Sequence, residues 1–128
     1  MSTASFKRPY RWVLLRHIGA PDDKKGIHFD LLLEDKEFCR TWRLSDVPLV
    51  DGPYVDTVYT FPHNLDWLDI QEKRISGNRG VATRIKKGIF LNSLPRLEKT
   101  SINLSLRFED EECDLVIDEN GCRIFSKK

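Results

Sequence analysis

The chain has 128 residues, of which 40% are hydrophobic and 32% are charged, a balance typical of one globular domain and not of a disordered chain. Its formal net charge is only +1, which excludes a protein that coats nucleic acid through a uniformly basic surface, because such affinity comes mainly from neutralising phosphates. No apolar run reaches the roughly 20 residues that a membrane-spanning helix needs, so no membrane partner is expected.

The N-terminal residues and the cysteines together predict a cytoplasmic protein. Residues 1–10 are interpreted as a tail, and the N-terminal segment lacks the apolar run expected of a secretory signal. Residues 11–128 are expected to form a single domain. The three cysteines are an odd, widely spaced set without a CxxC pair, so free thiols in a reducing compartment are expected.

A hydrophobic period of two runs through most of the chain and indicates β-strands. In chain order, strands are predicted at residues 12–17, 27–34, 38–44, 54–61, 81–85, 89–91, 102–108, 113–117 and 122–125. Lys86, Lys87 and Gly88 are expected to form the turn between the fifth and sixth of these strands, and Asn120 with Gly121 a turn in the last hairpin. Only residues 65–74 could form a helix, and a short one. The pattern predicts a mostly β, antiparallel fold, either a barrel or a sandwich.

The chain has three histidines, and they are the main candidates for chemistry because it contains no P-loop, dinucleotide fingerprint or nucleophile elbow. His28 and Asp30 lie two residues apart in a predicted strand, so their side chains point to one face, while Phe29 points to the other. An imidazole and a carboxylate on one strand are suited to a transition metal. His17, at the end of the preceding strand, would supply a third ligand if the two strands are neighbours. The alternative is a solvated polar pair on an exposed strand face.

The segment of residues 76–80, SGNRG, is a second candidate. Its glycines would let the backbone approach a ligand, its amides could form an anion-binding nest, and Arg79 would offer a guanidinium to a phosphate. The alternative is an ordinary hairpin turn with a solvent-facing Arg79.

His63 follows a predicted strand, in the segment FPHNLDW. A histidine in a turn after a strand is well placed to meet a substrate, and its side chain titrates near neutral pH. The alternative is a surface or helix-capping residue, and nothing in the local sequence decides between the two.

Five segments in fixed order resemble the 3′-phosphoesterase domain of bacterial DNA ligase D, and more closely the short stand-alone proteins related to it. They are LRH ending at His17, HFDLLLE from His28, RTWRL from Arg40, PHNLDW from Pro62 and SGNRG from Ser76. The matching stretch runs from Arg11 to Ile89 and contains all three histidines.

The resemblance implies a compact antiparallel β-barrel with at most one or two short helices and a divalent metal, manganese in the first place and zinc as an alternative. His17, His28 and Asp30 fall on the family's ligand positions, and His63 on a histidine that contacts the phosphate. The implied reaction removes a 3′-phosphate or a terminal ribonucleotide from nucleic acid during DNA repair, with a separately encoded ligase or polymerase as a partner. The role of Arg79 as a phosphate ligand is inferred from its chemistry alone.

The chain also departs from the family pattern. Leu32 occupies the place of an arginine two residues after the aspartate, and Val55 and Phe61 the places of an arginine and a glutamate. Trp67 stands where a tyrosine follows the third histidine. The alternative function is therefore a catalytically silent metal-binding module that binds nucleic-acid ends or a protein partner.

Overall fold

The computed structural model describes residues 8–21, 23–96, 101–108 and 110–127, and within them nine strands form one antiparallel sheet. The strands are β1 (Tyr10–Ile18), β2 (Ile27–Asp35), β3 (Phe38–Leu44), β4 (Thr57–His63), β5 (Glu72–Arg74), β6 (Val81–Phe90), β7 (Ile102–Phe108), β8 (Glu111–Asp118) and β9 (Gly121–Ser126). Residues 1–7 of the predicted tail lie outside the described residues, and Tyr10 already belongs to β1. The prediction of a mostly β, antiparallel fold is confirmed.

The strands lie in the order β4-β3-β2-β1-β6-β7-β8-β9, with β5 paired to the first part of β6. The outer strands β4 and β9 do not form a continuous ladder with each other. Instead, isolated bridges join Val50 to Ile124 and Val55 to Cys122, so the segment before β4 contacts β9. The sheet curls toward the expected barrel without being closed by regular strand pairing.

Strand β2 is buried on both faces, which decides the environment of the candidate site. Phe29, Leu31 and Leu33 pack in the larger core, on one side of the sheet. Leu32 packs on the other side, in a smaller core that includes Leu68 of a 3₁₀ helix (Leu65–Leu68). His28 and Asp30 share the face of Leu32, because side chains two residues apart point the same way. They are only 4% and 6% exposed, so the interpretation as a solvated pair is wrong.

The predicted turn at residues 86–88 is absent, because β6 runs unbroken from Val81 to Phe90. Gly88 is a close-packing position and not a turn residue. A Cβ atom there would lie 2.0 Å from the carbonyl oxygen of Arg107 and 2.6 Å from Nε1 of Trp12. The glycine therefore lets β7 and the Trp12 indole approach the backbone of β6.

The predicted helix over residues 65–74 is shorter than expected, since only Leu65–Leu68 is helical. Glu72–Arg74 forms β5 and pairs with Val81–Thr83 of β6, so a hydrogen-bonding partner outweighs local helix preference. No helix among the described residues is long and apolar enough to cross a membrane.

All three cysteines are free, as expected, and all three are also buried. Burial raises the pKa of the Cys39 and Cys122 thiols to about 12, so both stay protonated and unreactive near neutral pH.

Candidate metal centre

The structure brings His17, His28 and Asp30 together on one face of the sheet. His17 on β1 lies directly opposite His28 on β2, and Asp30 follows two residues along β2. One donor atom from each of the three side chains lies within 4.8 Å of the other two. The two imidazole rings are 4.8 Å apart between centroids and inclined by 59°. Because β1 and β2 are neighbouring strands, His17 lies where it can act as a third ligand beside His28 and Asp30.

The Nε2 atom of His28 is buried and has no hydrogen-bond partner. It lies 3.3 Å from Oδ2 of Asp30, but without the alignment of a hydrogen bond. A buried nitrogen left in this state is costly unless something else satisfies it. A divalent cation between His28 and Asp30 would do so, and the donor set of two imidazoles and one carboxylate suits manganese, zinc, iron or nickel.

Asp23 completes this arrangement and was missed from the sequence. Its Oδ2 lies 3.0 Å from Nδ1 of His28, and its Oδ1 accepts a hydrogen bond from the Lys25 amide. A carboxylate that accepts a hydrogen bond from the Nδ1–H group of a histidine fixes the ring and leaves Nε2 to bind a metal. Asp23 lies in the loop between β1 and β2, where no periodic pattern identifies it.

The electrostatics of the cluster also favour a positive charge at this point. Burial opposes protonation of His28, but the carboxylates of Asp30 and Asp23 outweigh it, so the pKa of His28 is raised. Burial likewise opposes ionisation of Asp23, but its bonds to His28 and Lys25 leave its pKa below the usual value. Because a divalent cation brings positive charge to the same place as a proton would, the carboxylates that raise this pKa also favour a cation there.

His17 is held by the backbone of the loop that carries Arg79. Its Nε2 lies 2.7 Å from the carbonyl oxygen of Arg79. Since a carbonyl can only accept a hydrogen bond, this nitrogen carries the proton, and Nδ1 has the lone pair for a metal. The Arg79 side chain is exposed, and its Nε donates to the carbonyl of Ser76 in the same turn. The observed contribution of Arg79 is thus its carbonyl; phosphate binding by its side chain stays a prediction.

The loop itself is a tight connection between β5 and β6. The Ile75 amide donates to the Gly80 carbonyl over 2.8 Å, and Gly77, Asn78 and Gly80 have positive φ angles. Gly80 lies against the end of β1, where a Cβ atom would approach the carbonyl oxygen of Ile18 to 2.0 Å. This close contact holds the Arg79 carbonyl over His17.

Arg43 is a second functional candidate that sequence reasoning left without a role. It lies on β3 directly opposite Asp30 and is half-buried. Its positive charge partly offsets the rise in the pKa of His28 and contributes to the lowered pKa of Asp23. The alternation along β3, which places Arg43 on the same face as Cys39 and Thr41, was the signal that could have identified it.

His63 lies on the same face of the sheet but outside the three-residue cluster. Its Nδ1 is 2.9 Å from Oγ1 of Thr41 and 3.1 Å from the carbonyl oxygen of Phe61, and its ring contacts Trp67 edge-on. Because the carbonyl can only accept, Nδ1 carries the proton and Nε2 has the free lone pair. The assignment of His63 as a catalytic residue stays a prediction.

Replacing Asp23 with asparagine is expected to weaken manganese binding by about 10- to 100-fold, the usual effect of losing a partner that orients a ligating histidine. Calorimetric titration with manganese measures this. Asp46→Asn is the matched control, because Asp46 is exposed and, within the described part of the chain, its side chain bonds the adjacent Val47 amide and no other group. Equal affinities for Asp23→Asn and wild type would show that Asp23 does not support the site.

Comparison with known proteins gives no family for this chain. No protein-family description matches it, and no curated protein matches its sequence significantly. The similarity to the ligase D domain therefore stays an expectation that rests on short motifs, and the functional argument depends on the geometry of the cluster.

Proposed function

We propose that this protein is a divalent-metal-dependent phosphoesterase that trims 3′ ends of nucleic acid. The observation that carries the proposal is the His17–His28–Asp30 cluster, in which the buried Nε2 of His28 faces Asp30 but has no hydrogen-bond partner. The order of the motifs around the three histidines supports nucleic-acid 3′ ends as the substrate, in DNA repair and beside a separately encoded ligase or polymerase.

The residues present fit a manganese ion held by His17, His28 and Asp30, with zinc as the alternative, since both accept nitrogen and oxygen donors. Bound there, manganese would neutralise phosphate oxygens and help to generate the attacking nucleophile. Asp23 and the Arg79 carbonyl would keep the two imidazoles in the required tautomers.

Three side chains would handle the phosphate ester. The guanidinium of Arg43, beside Asp30, would bind its non-bridging oxygens, since arginine recognises phosphate through paired hydrogen bonds, and Arg79 would add a second guanidinium. In its doubly protonated form, His63 would donate the Nε2 proton to the 3′ oxygen as its bond to phosphorus breaks, while water supplies the new oxygen on phosphorus. The products are a 3′-hydroxyl and inorganic phosphate.

A catalytically silent metal-binding module is the second candidate, and the packing of the substituted positions favours it. Leu32 is fully buried in the smaller core, and Val55 packs against the larger one. Trp67 replaces a hydroxyl beside His63 with an indole. Three of the four substituted positions are therefore apolar and partly or fully buried here, whereas Phe61 at the fourth is 83% exposed. The substitutions remove contacts each worth roughly 3 kcal/mol of transition-state stabilisation in other enzymes.

Turnover of a 3′-phosphorylated oligonucleotide with manganese separates the two candidates. We expect phosphate release by the wild type, complete loss with Asp30→Ala, and a 100-fold or greater loss, on the order of a general acid's contribution, with His63→Ala. Thr41→Val removes a hydrogen-bond partner of His63 but keeps the imidazole ring, so we expect a smaller loss of turnover than with His63→Ala. Saturable binding of the oligonucleotide with no phosphate release would overturn the phosphoesterase and support the silent module.

A further inference from the structure

A cavity of about 620 Å³ opens at the other end of β1 from the metal centre. Val13 and Leu68 contribute to its lining, and both belong to the smaller core. Four cationic side chains also line it: Arg11, Arg84, Lys87 and Arg107. We call this feature the basic groove.

The basic groove and the metal centre lie on the same face of the sheet. Along β1, Arg11, Val13, Leu15 and His17 alternate with residues that point the other way, so they share a face. Across from them on β6, Lys87 pairs with Val13 and Arg84 pairs with Leu15. From Val13 to His17 the strand advances four residues, about 13 Å at the usual rise of a strand.

A register shift in β6 brings two of the cations to this face. Leu14 pairs with Lys86, whereas Leu15 pairs with Arg84, so Ile85 is an extra residue in the ladder. In a regular strand without this bulge, Arg84 and Lys87 would point to opposite faces, because they are three residues apart. A β-bulge breaks regular pairing and redirects a side chain, and such features recur next to functional sites.

The charge of the basic groove is unbalanced in a chain whose net charge is only +1. The carboxylate of Asp69 bonds Arg11 over 2.7 Å, and that of Glu112 bonds Arg107 over the same distance. Lys87 and Arg107 are exposed, and Arg107 lies across Ile89 from Arg11 on neighbouring strands. Among the residues that the structure describes, the cations therefore outnumber the carboxylates that contact them, at one place on one face.

We propose that the basic groove binds the phosphate backbone of the nucleic-acid strand whose 3′ end reaches the metal centre. This inference rests on the proposed function and specifies its substrate as an oligonucleotide, not a small phosphate ester. The charge complementarity is direct, since guanidinium and ammonium groups are the usual partners of backbone phosphates. The separation of about 13 Å corresponds to about four nucleotides at the 3.4 Å rise of one strand.

The first test is binding of a labelled 12-nucleotide single strand with a 3′-phosphate, followed by fluorescence anisotropy at several salt concentrations. The double variant Lys87→Ala/Arg107→Ala is expected to bind at least 10-fold more weakly than wild type. Its log–log salt dependence should also be shallower by about 1.4, since each lost phosphate contact contributes about 0.7 on single strands. Its manganese affinity should be unchanged.

The control is Arg96→Ala/Lys127→Ala, which removes the same charge from residues that do not line the basic groove. An equal loss of binding in this control would show that only net charge matters and would overturn the proposal. Unchanged binding by the Lys87→Ala/Arg107→Ala variant would overturn it as well. Displacement of the strand by polyglutamate at the same charge concentration would point to an acidic protein partner instead, and would also overturn it.

Turnover against substrate length distinguishes failure of this inference from failure of the proposed function. With 3′-phosphorylated strands of two and eight nucleotides, the wild type should show a kcat/KM at least 10-fold higher on the longer strand. The Lys87→Ala/Arg107→Ala variant should lose this preference. Equal wild-type rates on both strands would overturn the basic groove alone, whereas no manganese-dependent release from either strand would overturn the phosphoesterase and the inference that rests on it.

Discussion

Replacing Asp30 with asparagine is expected to lower manganese affinity by more than about 100-fold, beyond the effect of losing a partner outside the ligand set. Asp30 is the one carboxylate among the three clustered donors, and it lies 3.3 Å from the Nε2 atom of His28, which has no hydrogen-bond partner. Asparagine has nearly the same shape but no charge, so the change removes the anionic ligand without opening a cavity. Calorimetric titration with manganese, for wild type and variant, measures the loss.

His63→Ala is the control for this experiment, because His63 contacts Thr41 and Trp67 and not the cluster. It should bind manganese with wild-type affinity. His17→Ala tests a second ligand of the proposed metal centre independently. Because His17 is only half-buried, its replacement should not destabilise the fold. Tight binding that survives both Asp30→Asn and His17→Ala would contradict the assignment of the metal centre.

The central part of the site could be predicted because it depends on local rules. Alternation along a strand places His28 and Asp30 on one face whatever the rest of the fold does. His17 required only that β1 and β2 pair, which is the common arrangement for strands joined by a short loop. Their register then sets His17 opposite His28.

The supporting residues could not be predicted because they depend on contacts between distant segments. Arg43 faces Asp30 only through the register of β2 with β3, and Asp23 reaches His28 from an irregular loop. At Gly88, by contrast, a local sequence pattern predicted a turn that the structure does not have. A glycine after two lysines is typical of a turn, but here its missing side chain admits the Trp12 indole and the backbone of β7.

The contact between the loop of residues 75–80 and β1 is expected to contribute strongly to the stability of the fold. Gly80→Ala is expected to reduce the free energy of unfolding by about 3 kcal/mol, through a positive φ angle and overpacking combined. Gly80 has a φ of +91°, and a Cβ atom would come within 2.0 Å of the Ile18 carbonyl oxygen and 2.8 Å of the Gly19 carbonyl carbon. These are backbone atoms, so the loop must move away from β1. Urea unfolding measures the loss of stability.

Gly77→Ala separates backbone strain from the steric conflict. Gly77 has a similar φ of +75°, but its Cβ would only meet Nε of Arg79 at an ordinary contact distance of 3.7 Å. The expected cost in free energy of unfolding is about 1 kcal/mol, the penalty of the left-handed conformation alone.

Because Gly80→Ala also displaces the Arg79 carbonyl from His17, it should weaken manganese binding about 10-fold, in the range for a lost ligand-orienting contact. Gly77→Ala should leave that affinity unchanged. Equal effects of the two substitutions on stability and on manganese affinity would show that the contact with β1 neither holds the loop nor orients His17.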